Sequence, residues 1–313
     1  MRLFLKYVSV FVLGIILIVV ILQCLISYRI EGKTLTGHDN LDLTKNINAD
    51  LLFLGSSRTW AHFDPIFFDS TFNLKSANIG VDGHSELSMA TTRLNHYLQN
   101  NQPPRFIILN IDPFIYKGSV HNNTNFLYKD VFARYAFLPK EENKQIVDYF
   151  QFTQPEKYIP LLSVFRYNLL WDILKLKPGS TPYEKYGFAF HNEQWDTLYW
   201  PPSKENMKFY FKPAHIPALK AELSGINLFC KSKGIKLLCI QTPVYKVIYD
   251  SSAFNQTGQM CKESGIPFID TNQESIINNI QFFYNSNHLN RRGIDEMNKI
   301  LANNQMLHKF LAP

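Results

Sequence analysis

Apolar positions along this chain follow three patterns, and each predicts a different kind of structure. From Tyr7 to Tyr28 run 22 residues without a charge, mostly Val, Ile and Leu. As one helix at ~1.5 Å per residue, that run crosses a hydrocarbon core of about 30 Å. No A-x-A site follows it, and Leu22-Gln23 is a poor setting for lipoprotein processing at Cys24. An uncleaved anchor over residues 1–33 is therefore expected.

The second pattern begins after a polar linker at 34–48. Short strand-like runs occur at 51–54, 72–79, 106–109, 235–240 and 267–269, of which 51–54 is continuously apolar. Runs of this length suit strands buried on both faces of a sheet. The stretch 85–98 has Leu87, Ala90, Leu94 and Leu98 at helical spacing. Further helices are expected at 216–233, 254–263 and 291–303, with a short helix or turn at 59–68. This alternation predicts an α/β domain over 49–313, with a single doubly wound parallel sheet between two helical layers.

The third pattern interrupts the second. Residues 113–213 are rich in aromatic and amide side chains, as in Tyr149-Phe150-Gln151-Phe152 and Tyr167-Asn168-Leu169-Leu170-Trp171. Helical fragments such as 159–176 are visible, without a βαβ rhythm. A segment of roughly 100 residues is too long for a bare loop. It is expected to be a mainly helical insertion that folds over the domain as a cap. Its aromatics would pack that cap, or line a groove for sugars or acyl chains.

Charge adds little to this picture. The net charge is +6, and Arg2, Lys6, Arg29 and Lys33 against Glu31 account for half of it. The body has no basic stripe with interleaved aromatics, which argues against nucleic-acid binding. Cationic residues flank the anchor almost equally, so the positive-inside bias is slight. A cytoplasmic N-terminus with an extracytoplasmic body is the expected arrangement. Cys230, Cys239 and Cys261 have no zinc spacing, and Cys239 reads as a small buried apolar residue. No metal or cofactor is expected.

In an open α/β sheet the carboxyl ends of the strands gather ligands. Ser56, Ser57 and Arg58 would follow the first strand, and Gly80, Asp82 and His84 the second. Asn110 and Asp112 follow the third, Gln241 and Thr242 the fourth, and Asp270 the fifth. His288 precedes the helix at 291–303. A serine, a glycine turn, an amide and a histidine on one rim suit acyl transfer. His62 and His84 read as structural, although His84 lies near the rim. Arg58 would bind an anion or pair with an acid.

These residues resemble the SGNH/GDSL hydrolase superfamily, whose four blocks supply Ser, Gly, Asn and His in that order. Gly55-Ser56-Ser57 is similar to the first block, Asn78-Ile79-Gly80 with Gly83 to the second, and Asn285 to His288 to the last. The resemblance covers about 49–112 and 235–302 and implies a flavodoxin-like sheet. It makes Ser57 the nucleophile and His288 the base, with the N–H groups of Ser57 and Gly80 binding the oxyanion. The anchor and the Asn-His-Leu ending also resemble the membrane-anchored branch that acts in cell-envelope D-alanylation and alginate acetylation.

Two positions depart from the family pattern. Asp112 stands where an oxyanion-binding Asn belongs, so either Asn110 takes that role or the hole is incomplete; losing one donor costs about 10²–10³ in rate. Asn285 stands where an Asp would orient the histidine, with Asp270 or Asp82 as possible carboxylates in its place. The expected function is a membrane-anchored serine esterase or O-acyltransferase. Its partners would be the bilayer through residues 7–28, a membrane-bound acyl donor system and an acylated cell-envelope glycan. The alternative is a catalytically impaired scaffold that binds a glycan or a membrane partner.

Overall fold

The computed structural model describes residues 1–30, 33–34, 37–38, 40–81, 87–111, 113, 153–159, 161–166, 185–199, 201–202 and 216–312. They belong to two compact units: 1–39 with 121–181, and 40–120 with 182–313.

In the first unit, α1 (Arg2–Ile30) is long and apolar enough to cross a membrane, and its side chains are mostly exposed. Two short helices follow within the insertion, Gln154–Tyr158 and Leu161–Arg166. Glu156 holds them together. Its carboxylate accepts from Thr153 N–H at 2.7 Å and pairs with Arg166 Nε at 2.9 Å. Leu161 N–H donates to Gln23 Oε1 at 2.9 Å, which ties this segment to α1. The described helices of the expected insertion belong to the same unit as the apolar helix. Of the expected helix at 159–176, only 161–166 is described as helix, and 167–176 lies outside the described residues.

The second unit is a doubly wound α/β domain. Its strands are β1 (Leu51–Leu54), β2 (Ser76–Asn78), β3 (Phe106–Asn110), β4 (Lys236–Gln241) and β5 (Phe268–Asp270). All pair in parallel, in the order β2-β1-β3-β4-β5. Side chains alternate between faces along each strand. Leu51, Phe53, Phe106, Ile108, Leu238 and Ile240 therefore share one face. There they pack with Phe68 of α3 (Pro65–Phe72), with Ile294 and Met297 of α7 (Arg291–Ala302), and with Leu307 of α8 (Gln305–Leu311). Leu52, Leu54, Ile107, Leu109, Leu237 and Cys239 are also buried and belong to the opposite face. That side carries α4 (Leu87–Asn100) and α5 (Ile216–Ser232), with α6 (Ser251–Glu263) beside β5. Burial on both sides is why Leu51–Leu54 and residues 106–109 read as unbroken apolar runs.

Several boundaries differ from the expected ones. Asp64 accepts from Ile66 N–H at 3.0 Å and Pro65 occupies the first turn, so a second helix starts there and takes Phe72 with it. The strand expected at 72–79 thus shrinks to Ser76–Asn78. Asn304 caps a further helix beyond the expected last one. The body starts at Asn40 rather than at 49, because the Asn40 side chain donates to the carbonyls of Asn78, Gly80 and Gly187. Residues 185–199, expected in the insertion, contribute Phe188 and Trp195 to the core.

Phe53 is fully buried, stacked on Phe63 at 5.2 Å and edge-on to Phe68 at 4.6 Å. Phe53→Ala is expected to lower stability by about 3–5 kcal/mol, read as a reduced urea midpoint at unchanged m.

Candidate active site

The strand order reverses between β1 and β3, and the site is built at their carboxyl ends. Beyond β1 the chain turns at Gly55, whose φ of +140° and tight approach to Asn110 O suit only glycine. Ser56 then caps α2 (Ser57–His62), accepting from Arg58 N–H at 3.3 Å. Ser57 is the first residue of that helix and stays half-buried.

His288 reaches Ser57 from a loop closed at its base. Phe283 and Leu289 bridge across the loop, and Tyr284 N–H donates to His288 O at 2.8 Å. The His288 Nε2 atom lies 2.9 Å from Ser57 Oγ, and its Nδ1 lies 3.1 Å from Asn285 Oδ1. That same oxygen accepts the backbone N–H groups of Asn287 and His288, both at 2.9 Å. Two backbone donors thus fix which end of the amide faces the ring. With an oxygen opposite it, Nδ1 must carry the proton, and Nε2 presents its lone pair to the serine.

This bears on the cost of the missing carboxylate. In a serine triad, Asp-to-Asn replacement costs about 10⁴ because the histidine adopts the wrong tautomer. Here the amide is locked with its oxygen inward, so the tautomer is the useful one. What Asn285 does not supply is negative charge. Burial, then Arg58, then His191 disfavour the imidazolium and push the His288 pKa down to about 3. An edge of the residue nevertheless stays accessible.

Arg58 is itself buried. Its Nη2 donates to the carbonyls of Thr242, at 2.5 Å, and Pro243, at 3.0 Å, just beyond β4. Asn110 is buried at the end of β3; its Oδ1 takes a long 3.5 Å contact from Thr242 Oγ1, and its Nδ2 has no partner among the described residues. Asp270 is exposed and accepts from Asn272, not from His288. Asp82, His84 and Asp112 lie outside the described residues.

Gly80 has a different role from the expected one. Its N–H, expected to face an oxyanion, donates to Asn78 Oδ1 at 3.0 Å. A Cβ at Gly80 would lie 2.6 Å from Trp60 N and 2.8 Å from Ser56 O. The glycine is therefore required by the close approach of the serine-bearing turn.

Sequence reasoning passed over three aromatic residues around His288. The Trp60 ring lies 6.5 Å from it and His191 6.3 Å, while His191 stacks on Tyr284 at 3.7 Å and 6°. His191 comes from the segment read as insertion, and its carbonyl accepts from Arg291 N–H at 2.9 Å. Trp60 has no motif signature of its own; only its place three residues after Ser57 on the same helix marks it in the sequence.

No protein-family model matches the chain, and no curated protein is significantly similar to it. Among solved structures it is similar to a Bacteroides fragilis protein provisionally designated an acylhydrolase. The identity is 13%, over 84% of this chain and 88% of that one, with a TM-score of 0.37.

Two substitutions test this geometry. Asn285→Asp keeps an acceptor oxygen but adds charge, so the His288 pKa should rise from about 3. Any acid limb of activity should move to higher pH with it, as read from pH–rate profiles. Below the ordinary histidine pKa of ~6.5 the unfolded chain binds the extra proton first. The wild-type contribution of His288 to stability is thus present above ~6.5 and is lost as pH falls towards about 3. Gly80→Ala is expected to displace the Ser57 turn, costing about 1–3 kcal/mol of stability in chemical denaturation.

Proposed function

We propose that this protein is a membrane-anchored, serine-dependent ester hydrolase or O-acyltransferase. The observation that carries the reading is the Ser57 Oγ–His288 Nε2 contact at 2.9 Å, with Nδ1 directed at a backbone-locked oxygen. Ser57 Oγ attacks the ester carbonyl while its proton passes to His288 Nε2. The proton then goes to the departing alkoxide, leaving an acyl group on Ser57. His288 next takes a proton from water or from an acceptor hydroxyl, which attacks the acyl carbon and frees the serine. The candidate oxyanion donors are the Ser57 N–H and Asn110 Nδ2, since the Gly80 N–H is engaged.

The apolar helix α1 would hold the body at a bilayer, on its extracytoplasmic side, with a membrane-bound acyl donor system as a partner. An acylated cell-envelope glycan is the proposed substrate. The Trp60 ring beside His288, and the His191 ring stacked on Tyr284, suit a sugar ring. The competing reading, an impaired scaffold that binds without turnover, is favoured by the amide oxygen of Asn285 that His288 Nδ1 meets where a triad has a carboxylate.

Detergent-solubilised wild-type protein should hydrolyse p-nitrophenyl acetate and react with a fluorophosphonate probe. Ser57→Ala should abolish labelling and lower hydrolysis by at least ~10³-fold. Labelling that persists in Ser57→Ala, or a wild type that never labels, would leave the scaffold reading in its place.

A further inference from the structure

The histidine that sequence reasoning set aside as structural joins both halves of the site. His62 ends the helix that Ser57 begins, and it is fully buried. Its Nε2 accepts the backbone N–H of Leu289, the residue after His288, at 3.0 Å. Its Nδ1 lies 3.0 Å from Thr242 Oγ1.

These contacts have a direction. A backbone N–H can only donate, so Nε2 must carry the lone pair, and in a neutral ring Nδ1 carries the proton. Nδ1–H then donates to Thr242, whose own hydroxyl proton is left for Asn110 Oδ1 across the 3.5 Å contact. That contact makes the amide oxygen the acceptor and leaves Nδ2 as the open end. Burial first, then Arg58, His288 and His191, hold the His62 pKa well below the ordinary value, consistent with one ring proton.

We propose that His62 is the positioning residue of this site. It fixes the His288–Leu289 segment against the helix that carries Ser57 and, through Thr242, sets which end of the Asn110 amide is free to donate. The proposal rests on the catalytic reading of Ser57 and His288, and it assigns His62 no contact with substrate.

The test uses full-length protein in detergent, with fluorophosphonate labelling and p-nitrophenyl acetate turnover as readouts. His62→Ala should slow labelling and kcat by ~10–100-fold, with KM within ~threefold, because misplacement costs rate rather than binding. His62→Gln, which has one acceptor and one donor, should recover to within ~fivefold of wild type. Thr242→Val should also slow labelling, and the His62→Ala/Thr242→Val double variant should be no slower than the worse single. Wild-type labelling in folded His62→Ala or Thr242→Val overturns the proposal, as does His62→Gln as slow as His62→Ala. If His62→Ala does not fold, Thr242→Val decides, since it leaves the ring in place.

Imidazole ¹⁵N shifts provide an arm independent of activity. His62 should be the Nδ1–H tautomer near neutral pH, and the opposite tautomer or a doubly protonated ring overturns the network. A wild type without labelling or turnover would sink the catalytic reading, and the ¹⁵N result would then decide the His62 network alone.

Discussion

A six-residue helix cannot sustain itself, because forming the first turn fixes several residues for one hydrogen bond. The helix that carries Ser57 has that length, and the site depends on what holds it. Asn78, fully buried at the end of β2, does much of this. Its Nδ2 donates to the carbonyls of Thr59 and Phe63, both at 2.9 Å, which satisfies acceptors near the helix end. Its Oδ1 takes the Gly80 N–H, so the glycine turn is pinned under the same helix. Asn40 then binds the carbonyls of Asn78, Gly80 and Gly187. Two buried amides thus convert three irregular segments into a rigid floor for the serine.

The histidine side is built with the same economy of charge. Its loop is closed by backbone bonds, and Asn285 folds back on the next two residues before it meets the ring. Asn290 caps α7 through Gly293 N–H and also binds the carbonyls of Gln281 and Phe283, so the loop has a fixed exit. Arg291 pairs with Asp64 at 3.0 Å, joining the start of α7 to the cap of α3. The 2.9 Å approach of His288 to Ser57 is therefore the outcome of several local closures. None of these depends on a charged partner for the imidazole.

The sheet was legible because burial on both faces leaves a local signature, and Leu51–Leu54 and Phe106–Asn110 carry it plainly. Ser57 and His288 were legible as types at strand and helix ends. Less visible were the roles set by long-range contacts. Gly80 looks like an oxyanion turn in sequence, yet its need for glycine comes from Trp60 and Ser56 packed against it. His62 finds its partners 180 and 227 positions away, so nothing near it in sequence announces them. His191 sat inside a stretch whose composition hid a return to the core; Ala189 N–H bonding to Trp60 O is what brings it back.

The electrostatics of the site follow from these placements. In an Asp-based triad the catalytic groups carry one negative charge before and after proton transfer, and the imidazolium sits beside it. Here Asn285 is neutral and the Arg58 cation is buried nearby, acting against charge on both His288 and His62. In the proposed mechanism, proton transfer from Ser57 would therefore meet an unfavourable field at the base. The same field would favour negative charge on the tetrahedral oxyanion that this mechanism forms at the serine. Stabilisation withheld from the imidazolium is partly returned at the oxyanion, and which atom gains more depends on its distance from the guanidinium. That balance makes the orientation of the Asn110 amide matter more than it would beside a carboxylate-backed histidine. With one backbone donor already committed to Asn78, the uncharged donors on this rim have to supply what the base lacks.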